Sequence, residues 1–109
     1  MTNTKPKHVG DFEFLVLTAI LRLKGEAYGV AISREIEQRT GRSASFGAIY
    51  TTLDRLKRKA LVSARLGEAT QARGGRSKTL YSVTTLGLES MQVSLGALRR
   101  MIEGVEALQ

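Results

Sequence analysis

Apolar residues recur along the chain with helical spacing in four stretches and alternate in two. After Phe12, the positions Leu15, Val16, Ala19, Ile20 and Leu23 fall at i+3, i+4, i+7, i+8 and i+11. This predicts a helix capped by Asp11 and closed by Arg22, Lys24 and Gly25. Phe14, Leu17 and Leu21 add a second apolar stripe, so the helix is expected to touch a partner subunit as well as its own core. The segment EAYGVAISREIEQRTG, residues 26 to 41, predicts a second helix with Ile32 and Ile36 inward and Arg34, Glu35, Glu37 and Gln38 largely outward. A polar turn at 42–44 leads to Ser45, the cap of a third helix whose inward stripe is Ile49, Leu53, Leu56 and Ala60.

The opposite face of that third helix is small and rich in hydroxyls near its start. At about 100° per residue from Ile49, the positions farthest from the core are Gly47, Thr51, Asp54, Arg55 and Arg58, with Ala48 and Tyr50 on the flanks. Two alternating runs follow, LVSARLG from residue 61 and KTLYSVT from residue 78, and predict antiparallel strands. The connection between them holds Gly74, Gly75 and, beyond Glu68, only basic charges: Arg73, Arg76 and Lys78. A hairpin can reverse in two residues, so ordering this longer basic tip must serve something other than chain reversal.

The last stretch opens with Thr84 or Thr85 as a cap and places Leu88, Met91, Leu95, Leu98, Ile102 and Val105 in 3-4-3-4-3 spacing. That is a coiled-coil-like seam, covered either by a second chain or by the domain itself. Gly87, Gly96 and Gly104 each weaken such a helix by about 1 kcal/mol relative to alanine, so a partner is expected.

Helix, helix, helix, hairpin is the order of a winged helix-turn-helix, here followed by a long C-terminal helix. The expected fold is therefore mainly α with a small β hairpin. Residues 1–9 form a flexible arm, 10–84 the winged domain and 85–109 a dimerisation helix. Charge sharpens this picture. Of the formal net charge of +7, residues 42–78 hold all of it, with nine Lys/Arg against Asp54 and Glu68. This is the footprint of an anionic partner, nucleic acid first and a membrane surface second.

Catalysis and metal binding find little support. Cysteine is absent, which excludes disulfides and thiolate zinc sites and fits a reducing cytoplasm. No carboxylate pair or hydroxyl with a nearby base is evident, His8 is expected to be solvated, and no cofactor or metal is expected. The longest apolar run, FLVLTAIL, is too short to span a bilayer, so a soluble, cytoplasmic protein is expected.

At FLVLTAILRLKGEAYGVAISREIEQRTG, SFGAIYTTLDRLKRKALV and RGGRSKTLYSVTTLG the sequence resembles the PadR-like family of transcriptional regulators, over roughly residues 10 to 104. The resemblance implies that Ser45, Gly47, Tyr50 and the residues around them, Ala48, Thr51, Arg55 and Arg58, face DNA. It makes Arg73, Gly74, Gly75, Arg76 and Lys78 the wing. It also implies the short branch of the family, with a single C-terminal helix for dimerisation. Phe46 and Thr51 depart from it where the family often has proline, and Ala60 where a glycine usually ends the third helix. Some members bind aromatic effectors between subunits; this chain has no tryptophan to stack on one, and no effector is assigned. The expected function is a homodimeric, sequence-specific repressor on a pseudo-palindromic operator, with Tyr50 contacting base or phosphate. The competing class is a winged-helix module that docks onto protein or RNA.

Overall fold

The computed structural model describes residues 5–67 and 78–109. Its elements are α1 (Asp11–Leu23), α2 (Gly29–Thr40), α3 (Phe46–Arg58), β1 (Val62–Leu66), β2 (Thr79–Val83) and α4 (Thr85–Ile102), followed by a single 3₁₀ turn, Glu106–Leu108. The strands pair antiparallel from Val62 opposite Val83 to Leu66 opposite Thr79. The expected wing residues Arg73, Gly74, Gly75 and Arg76 lie outside the described residues.

Side-chain chemistry sets the helix starts. Ser45 Oγ accepts from the Ala48 N–H at 3.1 Å, and Thr84 Oγ1 accepts from the Gly87 N–H at 3.0 Å. Two starts differ from expectation. Asp11 is the first helical residue rather than the cap, because Glu13 Oε1 takes the Gly10 N–H at 2.9 Å and makes Gly10 the boundary. The second helix begins at Gly29, not Glu26, because Tyr28 is extended and the carbonyl of the buried Ala27 before it accepts the Tyr81 N–H at 2.9 Å. That bond ties the entry of α2 to the hairpin.

α3 ends in a Schellman turn. The Leu61 N–H reaches back to the Leu56 carbonyl at 2.9 Å and the Ala60 N–H to Lys57 at 3.0 Å, with Leu56 and Leu61 both buried. The turn forces Ala60 to φ 62°, a left-handed conformation that costs an alanine about 1 kcal/mol. Ala60→Gly is therefore expected to raise unfolding free energy by about 0.5–1 kcal/mol, read from urea titration.

The core gathers Val16, Leu17 and Ile20 from α1, Ile32 and Ile36 from α2, and Ile49, Leu53 and Leu56 from α3, with Leu61, Val62 and Met91. Two of the expected interface positions, Leu17 and Met91, are buried within the protomer. Leu17 is 0% exposed, because α2, α3, β2 and α4 all pack on α1 and enclose more of its circumference than one stripe. Met91 likewise faces its own domain, and Val105 lies beyond the end of α4, after Gly104 at φ 79°.

The face that α4 turns inward is Gly87, Ser90, Met91 and Ser94. A Cβ on Gly87 would stand 2.2 Å from the Leu61 carbonyl oxygen, so the helix start is seated directly on the α3–β1 connection. Thr84 pins the same spot by donating to the Ala60 carbonyl at 2.7 Å. Ser94 holds the chain before α1, accepting the Val9 N–H at 2.9 Å. The expected arm is thus tethered to α4 at its end, and Lys5, Lys7 and His8 border a cavity of about 230 Å³ with Leu86 and Ser90.

Candidate nucleic-acid interface

Among the described residues no element covers the outward side of α3. Ser45, Gly47, Ala48, Tyr50, Thr51, Arg55 and Arg58 are all exposed, so the structure brings the expected contact residues of this helix onto one accessible surface. Their charge is graded along the axis. Residues 45 to 53 are uncharged, while Asp54, Arg55, Lys57, Arg58 and Lys59 crowd the C-terminal turns. Several of these cations have internal partners: Arg58 pairs with Asp54, Arg55 lies 3.8 Å from Glu13, and Lys59 lies 2.9 Å from it. Among the described residues no carboxylate pairs with Lys57.

Tyr50 has a packing role that sequence alone did not show. Its ring lies against the start of α2, where a Cβ on Gly29 would fall 2.3 Å from the Tyr50 hydroxyl oxygen. The ring is nonetheless half exposed. Tyr81 stands nearby on β2, and burial first, then Tyr50 and Asp54, push its hydroxyl pKa above the ordinary value. Lys78, expected on the wing, sits at the loop end of the strand pair, next to Thr79, with its ammonium 3.8 Å from the centre of the Tyr28 ring. Lys78 and Tyr28 therefore couple that end of the hairpin to the N-terminus of α2.

The transcriptional regulator PadR-like family matches the chain over residues 16–93. The chain belongs to that family. Solved PadR-like structures share its fold: one from Eggerthella lenta is 21% identical, with TM-score 0.72 over 89% of this chain and 80% of that one. Another from Bacillus cereus is 23% identical, with TM-score 0.72 over 89% of each chain. A third, from hypervirulent Clostridium difficile, is 24% identical, with TM-score 0.71 over 91% and 97%. The comparison with curated proteins gives no match. The winged helix-turn-helix expected from element order is the observed fold.

In this PadR-like regulator, Glu13 anchors α3 to α1. Its carboxylate is buried between the Gly10 N–H and the Lys59 and Arg55 cations. Burial raises its pKa, but the Gly10 hydrogen bond and the two cations outweigh it and hold the carboxyl below its ordinary value. A carboxyl with a depressed folded pKa stabilises the fold above its unfolded value of about 4.3 and loses that contribution as pH falls through the folded one. The stability difference between wild type and Glu13→Gln should accordingly be largest near neutral pH and shrink below about pH 4. Unfolding titrations across that range test it.

The Glu13 network escaped sequence reasoning because its partners lie 42 and 46 positions away. The available signal was a carboxylate set between Phe12 and Phe14, among the apolar positions of the helix. Arg42 was likewise missed; it pairs with Asp11 at 3.1 Å and lies 5.2 Å from the centre of the Phe12 ring. Among the described residues, no helix is long and apolar enough to cross a membrane.

Proposed function

We propose that this PadR-like chain binds a pseudo-palindromic DNA operator as a homodimer and represses by occupying it. The observation that carries the reading is the bare face of α3: a Ser45-capped start with Gly47, Ala48 and Thr51 exposed, narrow enough for its backbone to enter a major groove. The concentration of the net charge in residues 42–78 supports a polyanionic partner. In this reading Thr51 and Tyr50 approach base edges, while Arg55, Arg58, Lys78 and the wing residues Arg73, Gly74, Gly75 and Arg76 approach phosphates.

The dimer is supported by apolar side chains that the domain does not cover. Leu88, Leu98 and Ile102 on α4 and Leu21 on α1 are exposed, and Phe14 and Leu95 are partly so. Phe14, Ala97, Leu98 and Met101 border a hollow of about 270 Å³ between α1 and α4, suited to side chains of a second copy. Residues 10–84 would then form the DNA-binding unit and 85–109 the dimerisation unit.

The test is a gel shift with pooled genomic fragments against excess nonspecific duplex and against structured RNA. Retention of particular fragments, protected with two-fold symmetry at centres about 34 Å apart or a multiple of it, is the expected outcome. Equal binding of all duplexes, or preference for RNA, would replace the regulator reading with an interaction module.

A further inference from the structure

Large apolar side chains stay exposed in two settings on the helices. One group lies on α1 and α4 and is used by the proposed dimer. The other is Phe46 and Tyr50, 54% and 48% exposed, one turn apart on the same flank of α3. Tyr50 is partly accounted for by its seat on Gly29. Phe46 belongs neither to the core nor to the side chains packed against it.

The position of Phe46 narrows what could cover it. It is the first residue of α3, directly after the Ser45 cap, and the initial residues of a recognition helix are those that meet base edges in the major groove. Residues 45–53 carry no charged side chain and the cations of the helix itself begin at Arg55, so any phosphate contact at this end falls to backbone N–H groups and hydroxyls and leaves the phenyl ring unused. Gly47 and Ala48 beside it present almost no side chain and allow close approach. A phenyl ring neither donates nor accepts conventional hydrogen bonds. The one apolar group on a major-groove base edge is the thymine 5-methyl.

We propose that Phe46 is a specificity-determining residue that packs its ring on the 5-methyl group of a thymine in each half-site. The inference rests on the DNA-binding reading above. It adds a base identity read by an apolar contact rather than by a hydrogen bond.

The experiment replaces each thymine of a recovered operator, one at a time, by deoxyuridine, which removes the methyl and leaves pairing and charge intact. Wild-type full chain should lose affinity about fourfold at one thymine per half-site, the value of one buried methyl-sized group. Phe46→Ala should bind the thymine and uracil versions equally, and Phe46→Leu should keep part of the difference. Melting temperature and affinity for nonspecific duplex should not change in either variant, since the ring is exposed in the free protein. Tight operator binding with uracil tolerated at every position would overturn the assignment of Phe46. So would undiminished uracil sensitivity in Phe46→Ala. If no fragment is retained over nonspecific duplex, the DNA-binding reading itself fails, an outcome distinct from both.

Discussion

Gly87→Ala is expected to lower the stability of the fold by about 3 kcal/mol, while Gly96→Ala in the same helix should raise it by up to about 1 kcal/mol. Helix propensity favours alanine equally at both sites, so the opposite signs come from packing. The added carbon at Gly87 would meet the Leu61 carbonyl at 2.2 Å and the Val83 side chain at 2.8 Å. Relief requires prying α4 off the α3–β1 connection, where Thr84 also bonds to Ala60. At Gly96 the nearest neighbour is the Arg100 guanidinium at 3.3 Å, the free end of a long side chain that can swing away. Urea unfolding of the two variants at one protein concentration checks both, since a dimer would make stability concentration-dependent. Wild-type stability in Gly87→Ala would show that the close approach is dispensable.

Leu98→Glu is expected to split the proposed dimer and reduce operator affinity roughly 100-fold or more, because two linked half-site contacts become two independent ones. Leu98 is 60% exposed and contributes nothing to the protomer core, so the monomers should stay folded. Across a two-fold axis the substitution would also set two carboxylates near apolar Met101 and Ile102. Leu95→Glu should split the dimer too, but with some loss of stability, as Leu95 is partly buried. Leu17→Glu should unfold the protomer outright, since a fully enclosed site cannot accept an unpaired charge. Sedimentation at micromolar concentration separates these cases. A Leu98→Glu variant that stays dimeric would remove α4 from the interface.

The order of elements was readable from apolar spacing and capping residues alone. Ser45 and Thr84 cap where their hydroxyls precede periodic stretches, and the alternation in 61–67 and 78–84 gives β1 and β2. What spacing could not decide was which of two adjacent stripes faces home. On α4 the seam from Leu88 to Val105 suits a second chain or the domain itself; the domain takes Gly87, Ser90, Met91 and Ser94 and leaves Leu88 and Leu98 exposed. Small residues let two backbones meet, and hydrophobicity patterns are blind to that advantage. The left-handed turn at Ala60 was legible as a contingency, because a missing glycine marks where one is needed. On the candidate site, the exposed face of α3 followed from helix geometry. The seat of Tyr50 on Gly29 and the clasp of Glu13 on Lys59 did not, because both join residues whose proximity only the finished fold creates.

The Glu13 clasp has a consequence for the DNA that such a dimer would accept. In the proposed dimer α1 and α4 would carry the shared surface, and α3 is fastened to α1 through Lys59 and Arg55 while Ser94 holds the start of α1 against α4. Two recognition helices mounted this way form a caliper with fixed jaws. One base pair inserted between half-sites moves the second groove by about 3.4 Å and turns it by about 34°, and a caliper without a hinge has no low-cost way to follow. Spacer length would then be read as strictly as any base, by the rigidity of the body between the jaws.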